Sequence, residues 1–258
     1  MRVLVTVKAY PGVSERQGET VCVAGVRLDT PQPHWIRLWP VNFRELPRDK
    51  QFKKWQIIEL EAGKSTRDRR QESYTPNLDT LRCHEVVDTR NEWSKRRNHL
   101  GPLIADTTLC ELLAAQDTAG QTPPPSLGMV KVGPGATVTV TPAAQWTEER
   151  LQRARRAAEP HLLRSDALTP MAGPLFDVRY NWRCMSPSCG GHQHVSCDWE
   201  VGATSLRFSK SYDDPVPHLA NNFGARMLPP DHDTHFFMGN QHQRPKTFMV
   251  LGAFYPKV

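Results

Sequence analysis

A group of cysteine and histidine residues in the last third of the chain has the composition of a metal site. The segment 184–197 reads Cys-Met-Ser-Pro-Ser-Cys-Gly-Gly-His-Gln-His-Val-Ser-Cys and offers five thiol or imidazole groups. Structural zinc takes four such ligands in a tetrahedron. Cys184, Cys189 and His192 follow a C-x4-C-x2-H spacing that one tight loop can close, and we predict a zinc site on these three residues.

The fourth ligand of this predicted zinc site stays open. Cys197 is the local choice, and the alternatives are His194, His235 and His242. Two or three thiolates favour a closed structural site, because they donate charge to the metal and leave it a weaker Lewis acid. We therefore expect the ion to stabilise the fold rather than to take part in a reaction.

The other cysteines and the start of the chain bear on the cellular compartment. Cys22, Cys83 and Cys110 lie among apolar neighbours and are interpreted as small core residues, so the six cysteines do not form a disulfide framework. The first twelve residues lack the apolar stretch of a signal peptide, and no apolar run reaches the roughly 18–20 residues of a membrane span. We expect a soluble, cytoplasmic protein of bacterial type.

Acidic residues beside the cysteine cluster allow a second hypothesis, a metal-dependent hydrolase of the nuclease type. Asp198 and Glu200 flank Trp199 directly after the cluster, and His242 could complete a catalytic set with them. The chain has no phosphate-binding glycine loop, nucleophile elbow or H-E-x-x-H motif. The sequence therefore favours a protein without catalysis over this alternative.

The excess positive charge of the chain lies in its first 105 residues. That part holds 19 Lys and Arg against 13 Asp and Glu, whereas residues 106–258 hold 14 of each. A basic surface attracts polyanions because its binding releases their counterions. We expect nucleic-acid contacts to concentrate in the N-terminal part.

Aromatic and basic residues are interleaved in the same N-terminal part. In an extended strand Trp35, Arg37 and Trp39 share one face, whereas Ile36 and Leu38 point to the other. Rings on a β-barrel surface stack bases while Arg and Lys contact phosphates. The residues that we predict to contact DNA or RNA are Trp35, Arg37, Trp39, Arg44, Lys53, Lys54, Arg67, Arg69 and Arg70.

The elements that must position these residues predict an α+β fold with two domains. Four short strands at 2–8, 19–28, 34–39 and 55–61, separated by turn-forming segments, indicate a small N-terminal β-barrel, and a polar basic loop follows at 63–73. Patterns typical of helices at 89–104, 107–116 and 146–158 and of strands at 127–132, 136–140, 176–184, 234–239 and 247–255 complete the prediction. We place a basic barrel with helices at 1–142 and a zinc-containing α+β domain at 143–258.

The N-terminal part also resembles a known kind of module. Cys22-Val-Ala-Gly25-Val26 followed by His34-Trp35-Ile36-Arg37-Leu38 is similar to the C-x-A-G and W-I-R strand pair of OB-type modules in bacterial conflict and mobile-element proteins. The resemblance covers about residues 2–62, with Pro33-His34 where the pattern often has Gly-Lys. It implies a five-stranded barrel with a surface that faces nucleic acid.

The whole chain resembles an uncharacterised bacterial family that carries the cysteine cluster, the Asp198-Trp199-Glu200 run and the segment 239–242, Gly-Asn-Gln-His. Our leading hypothesis is a nucleic-acid-binding protein with a structural zinc site, in a bacterial defence or mobile-element system. A third hypothesis is an interaction module of such a system, in which the tryptophan face docks a protein partner.

Overall fold

The computed structural model of the protein describes residues 1–105, 107–118, 120, 122–161 and 164–258. These residues form a mixed α and β fold, as the sequence predicts. The strands are β1 (Arg2–Lys8), β2 (Gly12–Ser14), β3 (Gly18–Arg27), β4 (His34–Val41), β5 (Gln56–Lys64), β6 (Ser73–Val86), β7 (Leu127–Lys131), β8 (Thr137–Pro142), β9 (Phe176–Trp182), β10 (His192–Val195), β11 (His235–Gln241) and β12 (Arg244–Phe254). The α-helices are α1 (Arg90–Leu100), α2 (Leu109–Asp117), α3 (Glu148–Ala158), α4 (Trp199–Ser211) and α5 (Val216–Ala220).

The N-terminal half contains β1 to β6 and α1, and five of its strands close into a circuit of pairings. β1 pairs antiparallel with both β3 and β5, β3 pairs with β4, and β5 pairs with β6. A parallel pairing between β4 and β6 completes the circuit, and the short β2 extends β3 at its edge. Starting at β1, the order around the circuit is β1, β3, β4, β6, β5.

Gly25, in the β3 part of the predicted motif, allows β3 to approach β1 closely. A Cβ atom at this position would lie 2.1 Å from the carbonyl oxygen of Leu4 on β1, a distance that no side chain tolerates. Glycine is therefore needed where β3 pairs with β1 at this position.

The interior of the N-terminal circuit is an apolar core. Ile36 and Leu38 are buried there, on the inward face that the alternation of β4 predicts. The phenyl rings of Phe43 and Phe52 close one side of this core, with their centroids 5.1 Å apart. Burial of these side chains stabilises the half by about 1.5–3 kcal/mol each relative to exposure.

The C-terminal half contains β7 to β12 and α2 to α5, and its strands follow a similar order. β11 pairs with β7 and β12, and β9 pairs with β8 and β10. Single bridges join the two sheets: Val132 to Cys184 antiparallel, and Ser196 to Val250 parallel. Along these links the order is β7, β9, β10, β12, β11. Each half has six strands among the described residues, and in both halves the order is first, third, fourth, sixth and fifth, with the second strand (β2 or β8) at an edge.

The two halves pack on each other through the outer face of the N-terminal strands. Trp35 on β4 meets the ring of Phe237 on β11 edge-on, with centroids 5.8 Å apart. Leu4 and Val26 join the same buried cluster. The face of β4 that the sequence predicts to meet nucleic acid therefore lies largely against the C-terminal half.

The helices complete the fold, and two of them begin at a residue whose side chain caps the helix. α2 begins with a capping box in which Thr108 and Glu111 exchange side-chain-to-backbone hydrogen bonds. α3 begins after Thr147, whose side chain accepts a hydrogen bond from the Arg150 amide. Within the described ranges, no helix is long and apolar enough to cross a membrane.

Candidate metal centre and nucleic-acid surface

Three cysteines and one histidine come together in the C-terminal half. The sulfur atoms of Cys110, Cys184 and Cys189 and a ring nitrogen of His192 all lie within 4.8 Å of one another. His192 Nε2 is 3.2 Å from Cys189 Sγ, 3.4 Å from Cys184 Sγ and 3.8 Å from Cys110 Sγ. A tetrahedral ion with metal–sulfur bonds of about 2.3 Å requires ligand separations of roughly 3.5–3.8 Å. The group can hold a metal ion.

Local structure explains how these four side chains meet. Cys184 follows β9, and the turn that begins at Ser186 brings Cys189 back toward it through a 3.0 Å backbone hydrogen bond. Gly191 adopts a φ of +105°, which glycine tolerates, and directs the chain into β10, whose first residue is His192. α2 supplies Cys110 from its first turn.

The electrostatics of the group favour a bound cation. Burial raises the pKa of the Cys184 thiol, but hydrogen bonds from His192 and from the backbone outweigh burial and lower this pKa to about 6. Burial, and then the hydrogen bond and charge of Cys184, raise the pKa of Cys110 to about 12. Neighbouring thiolates oppose each other's ionisation, and a divalent cation compensates that repulsion.

The fourth member of the group is Cys110, where the sequence favours Cys197. The Cys197 sulfur instead contacts Met249 Sδ at 3.5 Å, and burial raises its pKa to about 11. The sequence places Cys110 among apolar neighbours, and we interpret it there as a core residue. It lies 74 positions before Cys184, so no local spacing connects the two. Only the packing of α2 against the C-terminal sheet brings its sulfur beside the other three side chains.

The three alternative histidine ligands also have other partners. His194 Nδ1 accepts a 3.2 Å hydrogen bond from Trp182 Nε1. His235 is buried and its Nδ1 is 3.1 Å from the Asp233 carbonyl oxygen. His242 Nδ1 is 3.1 Å from a carboxylate oxygen of Asp68. None of them belongs to the Cys110 group.

Four of the basic residues predicted to contact nucleic acid are held by the protein itself. Arg37 is 3% exposed and donates to Ser126 Oγ at 2.8 Å, so the predicted outward arginine is a buried residue between the halves. Arg44 binds Glu19, and Arg70 binds Asp68 and the backbone of Asn240. Lys54 Nζ lies 2.6 Å from Asp198 and 3.1 Å from Glu200. The remaining predicted residues divide into the exposed Lys53, Arg67 and Arg69 and the half-buried Trp35 and Trp39.

A groove lies beside the loop between β5 and β6 that carries the exposed Arg67 and Arg69, since Lys64 and Gln71, on either side of these arginines in sequence, both line it. It has a volume of about 730 Å³ and is lined by the rings of His34, Trp35 and Tyr74 and by Lys64. Lys64 Nζ lies over the Tyr74 ring, 4.2 Å from its centroid. Trp35 Nε1 is buried and has no hydrogen-bond partner in the described part of the chain.

The residues of the hydrolase alternative do not form one centre. Asp198 and Glu200 bind Lys54, whereas His242 binds Asp68 in the loop between β5 and β6. Asp198 is buried, and its Oδ1 atom accepts a hydrogen bond from the Glu200 amide at the start of α4. Its contacts are those of a helix cap and a buried ion pair.

Comparisons with known proteins place the chain in a family without assigning an activity. Residues 1–102 match the profile of a domain of unknown function (DUF8758), and residues 105–258 match that of a second domain of unknown function (DUF8757). A search of curated proteins finds no match. The chain belongs to the DUF8757 family, since that profile covers more than half of it. This agrees with the resemblance of the chain to an uncharacterised family.

One similar solved structure is described as "Structure of murine DNA binding protein bound with ds DNA". It has 9% sequence identity, and the alignment covers 100% of this chain and 95% of the murine chain, with a TM-score of 0.29. At that TM-score the similarity carries no argument about the fold or function of this chain.

Proposed function

We propose that the protein binds single-stranded nucleic acid in the groove beside the β5–β6 loop. We also propose that zinc in the Cys110 group stabilises the C-terminal half, which forms the other wall of this groove. The observation that carries the proposal is the juxtaposition in this groove of Trp35 and Tyr74 with Lys64, at the start of the β5–β6 loop that carries the exposed Arg67 and Arg69. Aromatic rings stack bases without sequence preference, and cations along a groove follow the phosphates.

The order of the N-terminal strands supports the same location. We interpret the circuit β1, β3, β4, β6, β5 as an OB-like barrel. Barrels of that type bind oligonucleotides on the face of their second and third strands and in the loop between the fourth and fifth. Here β3 and β4 are the second and third strands, and the fourth-to-fifth loop carries Arg67 and Arg69. The C-terminal half covers part of the β4 face and leaves the groove at its edge.

The composition of the metal group supports zinc as its ion. Three thiolates with one imidazole form a common structural zinc set, and soft thiolate ligands disfavour magnesium and calcium. Cys184 and Cys189 are buried in the core of the C-terminal half together with Tyr180 and Phe236. An ion there would join α2 to β9 and β10, and so would hold the groove wall in place.

Removing the two exposed arginines tests the groove. In the Arg67→Ala/Arg69→Ala variant we expect binding of a fluorescent single-stranded oligonucleotide to weaken at least tenfold at low salt. The slope of log K against log salt should shrink by about 1.4, because each phosphate contact to a single strand contributes about 0.7. Arg155→Ala is the matched control, since this arginine is exposed on α3 in the electrically neutral part of the chain.

Tyr74→Ala should weaken the same complex by about 1–3 kcal/mol without changing the salt slope, as loss of one stacked base predicts. DNA and RNA of equal length, each single- and double-stranded, are titrated in parallel. Absence of salt-sensitive binding by the unmodified protein to all four, or equal loss in the Arg155 control, would contradict the proposal.

A further inference from the structure

A second pocket, on the seam between the two halves, combines cationic and aromatic groups. Its volume is about 440 Å³, within the range of small-ligand sites. The cations that line it come from β1, from the segment before β5 and from α1, and the rings come from both halves. The lining cations are Lys8, Lys53, Lys54 and Arg96, and the lining aromatic residues are Trp55, Trp93, Trp199 and Tyr255.

Arg96 is the group in this pocket that most clearly lacks a partner. It is 9% exposed, and the described residues accept a hydrogen bond only from its Nε atom, which donates to the Val87 carbonyl at 2.9 Å. Its guanidinium lies over the rings of Trp55 and Trp93, 4.3 and 4.6 Å from their centroids. A guanidinium has five N–H donors, so four remain for a ligand at a buried position.

The pocket holds more positive than negative charge. Asp198 and Glu200 both bind Lys54. Asp88, which also acts on Arg96, is already bound by Arg90 and Lys95. Lys8 and Arg96 therefore lie in low-dielectric surroundings without a dedicated carboxylate, and an anion that entered would gain from both.

The backbone around the pocket is strained. Trp55 has a φ of +63° and Trp93 a φ of +62°, in the left-handed region that bulky residues avoid. Asn91 and Glu92, which precede Trp93, share this conformation. Each such residue costs of order 1–3 kcal/mol, and strain of this kind concentrates at binding sites, where the surrounding structure imposes it.

We propose that this pocket binds a nucleoside phosphate, with the phosphate on Arg96, Lys8 and Lys53 and the base against the Trp93 and Tyr255 side. The ligand is either a free mononucleotide or one unit of a bound strand. Arg96 and its aromatic neighbours match the planar, anionic and partly apolar character of that ligand. The proposal deepens the proposed function, but it uses none of the groove residues Trp35, Lys64, Arg67, Arg69 and Tyr74.

Calorimetric titration of the full chain with the four nucleoside monophosphates, with inorganic phosphate and with adenosine tests this pocket. We expect at least one monophosphate to bind at least tenfold more tightly than phosphate or adenosine alone. Lys53→Ala should weaken that binding at least fivefold without a change in melting temperature, because Lys53 is exposed. Arg96→Lys should weaken it further, since lysine keeps the charge and loses the planar donor set.

The arginine-to-alanine variant of the groove, Arg67→Ala/Arg69→Ala, separates the two proposals. It should keep mononucleotide binding while it loses oligonucleotide binding. Competition between a mononucleotide and an oligonucleotide would identify the ligand as a unit of the strand, and independent binding would identify a free nucleotide. If the oligonucleotide binds and no monophosphate binds at millimolar concentration, the pocket proposal is wrong and the groove proposal stands. If a monophosphate binds and the oligonucleotide does not, only the groove proposal is wrong.

Lys8 gives the pocket a pH dependence. Burial lowers the pKa of Lys8 to about 8, Glu200 and Asp198 oppose that shift, and Lys54 adds to it. Lys8 is therefore mostly charged at pH 7 and mostly neutral at pH 9, and we expect mononucleotide affinity to fall about tenfold over this interval, the size of one charge-assisted hydrogen bond. In Lys8→Met the affinity should be lower at pH 7 and flat with pH, and a pH-dependent affinity in that variant would overturn the assignment.

Discussion

Replacing Cys110 with serine will release the zinc ion that we propose for the Cys110 group and unfold the C-terminal half. The Cys110 sulfur is one of four potential ligand atoms that lie within 4.8 Å of one another, and serine is a poor ligand for the zinc proposed there. Structural zinc contributes about 10–16 kcal/mol of apparent folding free energy in small zinc domains, so losing one ligand removes several kcal/mol. We expect the bound metal, measured by elemental analysis, to fall from one ion per chain to well below one.

Cys197→Ser is the matched control for this experiment. The sequence offers Cys197 as the local ligand, whereas its sulfur contacts Met249. This variant should keep one ion per chain and lose only the small packing contribution of a partly buried thiol. A chelator should lower the melting temperature of the unmodified protein and of Cys197→Ser, and leave Cys110→Ser nearly unaffected. Loss of metal from Cys197→Ser with retention in Cys110→Ser would reverse the assignment.

The sequence could predict three members of this group because a short loop brings them together. Spacing within about ten residues constrains geometry, as the turn at Ser186–Cys189 and Gly191 shows. The fourth member depends on how α2 packs against the C-terminal sheet, and no pattern within α2 reports that packing. Cys110 lies between Leu109 and Glu111 of a capped helix, and in that setting its sequence context favours interpretation as an apolar core residue.

The prediction of the strands has the same limit, because a local pattern does not report tertiary packing. Alternation correctly assigns Ile36 and Leu38 to the interior of the N-terminal half. It also assigns Trp35 and Arg37 correctly to the opposite face, but it cannot tell whether that face meets solvent or a second layer of protein. β6 is absent from the sequence prediction because few of its residues are deeply buried, and it runs through polar positions such as Asn77 and Asp79.

α4 is also absent from the sequence prediction, for a related reason. Its residues include Gly202, Ser205 and other weak helix formers. The helix is determined by its contacts: Asp198 caps its first turn, and Gly202 lies where a Cβ would clash with the Tyr10 ring at 2.0 Å. Tertiary packing overrides the local preference here, and it also converts the acidic run that sequence allows as a catalytic pair into a structural one.

Breaking the ion pair between Lys54 and Asp198 will destabilise the whole protein. The side chains are 6% and 7% exposed, their Nζ and Oδ2 atoms are 2.6 Å apart, and they come from the two halves. Removing one partner of a buried pair leaves an uncompensated charge, which costs about 3–5 kcal/mol. We expect Lys54→Met to lower the free energy of unfolding, measured by chemical denaturation, by that amount.

The double variant Lys54→Met/Asp198→Asn should recover most of this loss. Asparagine keeps the side-chain oxygen that accepts a hydrogen bond from the Glu200 amide, and it removes the negative charge. The double variant therefore leaves no buried charge without a partner. Glu200→Gln is the control, because its carboxylate is 58% exposed and its ion pair with Lys54 should contribute less than about 1 kcal/mol. A stable Lys54→Met variant, or a double variant no more stable than the single one, would contradict a structural role. Asp198 and Glu200 would then again be candidates for the hydrolytic alternative.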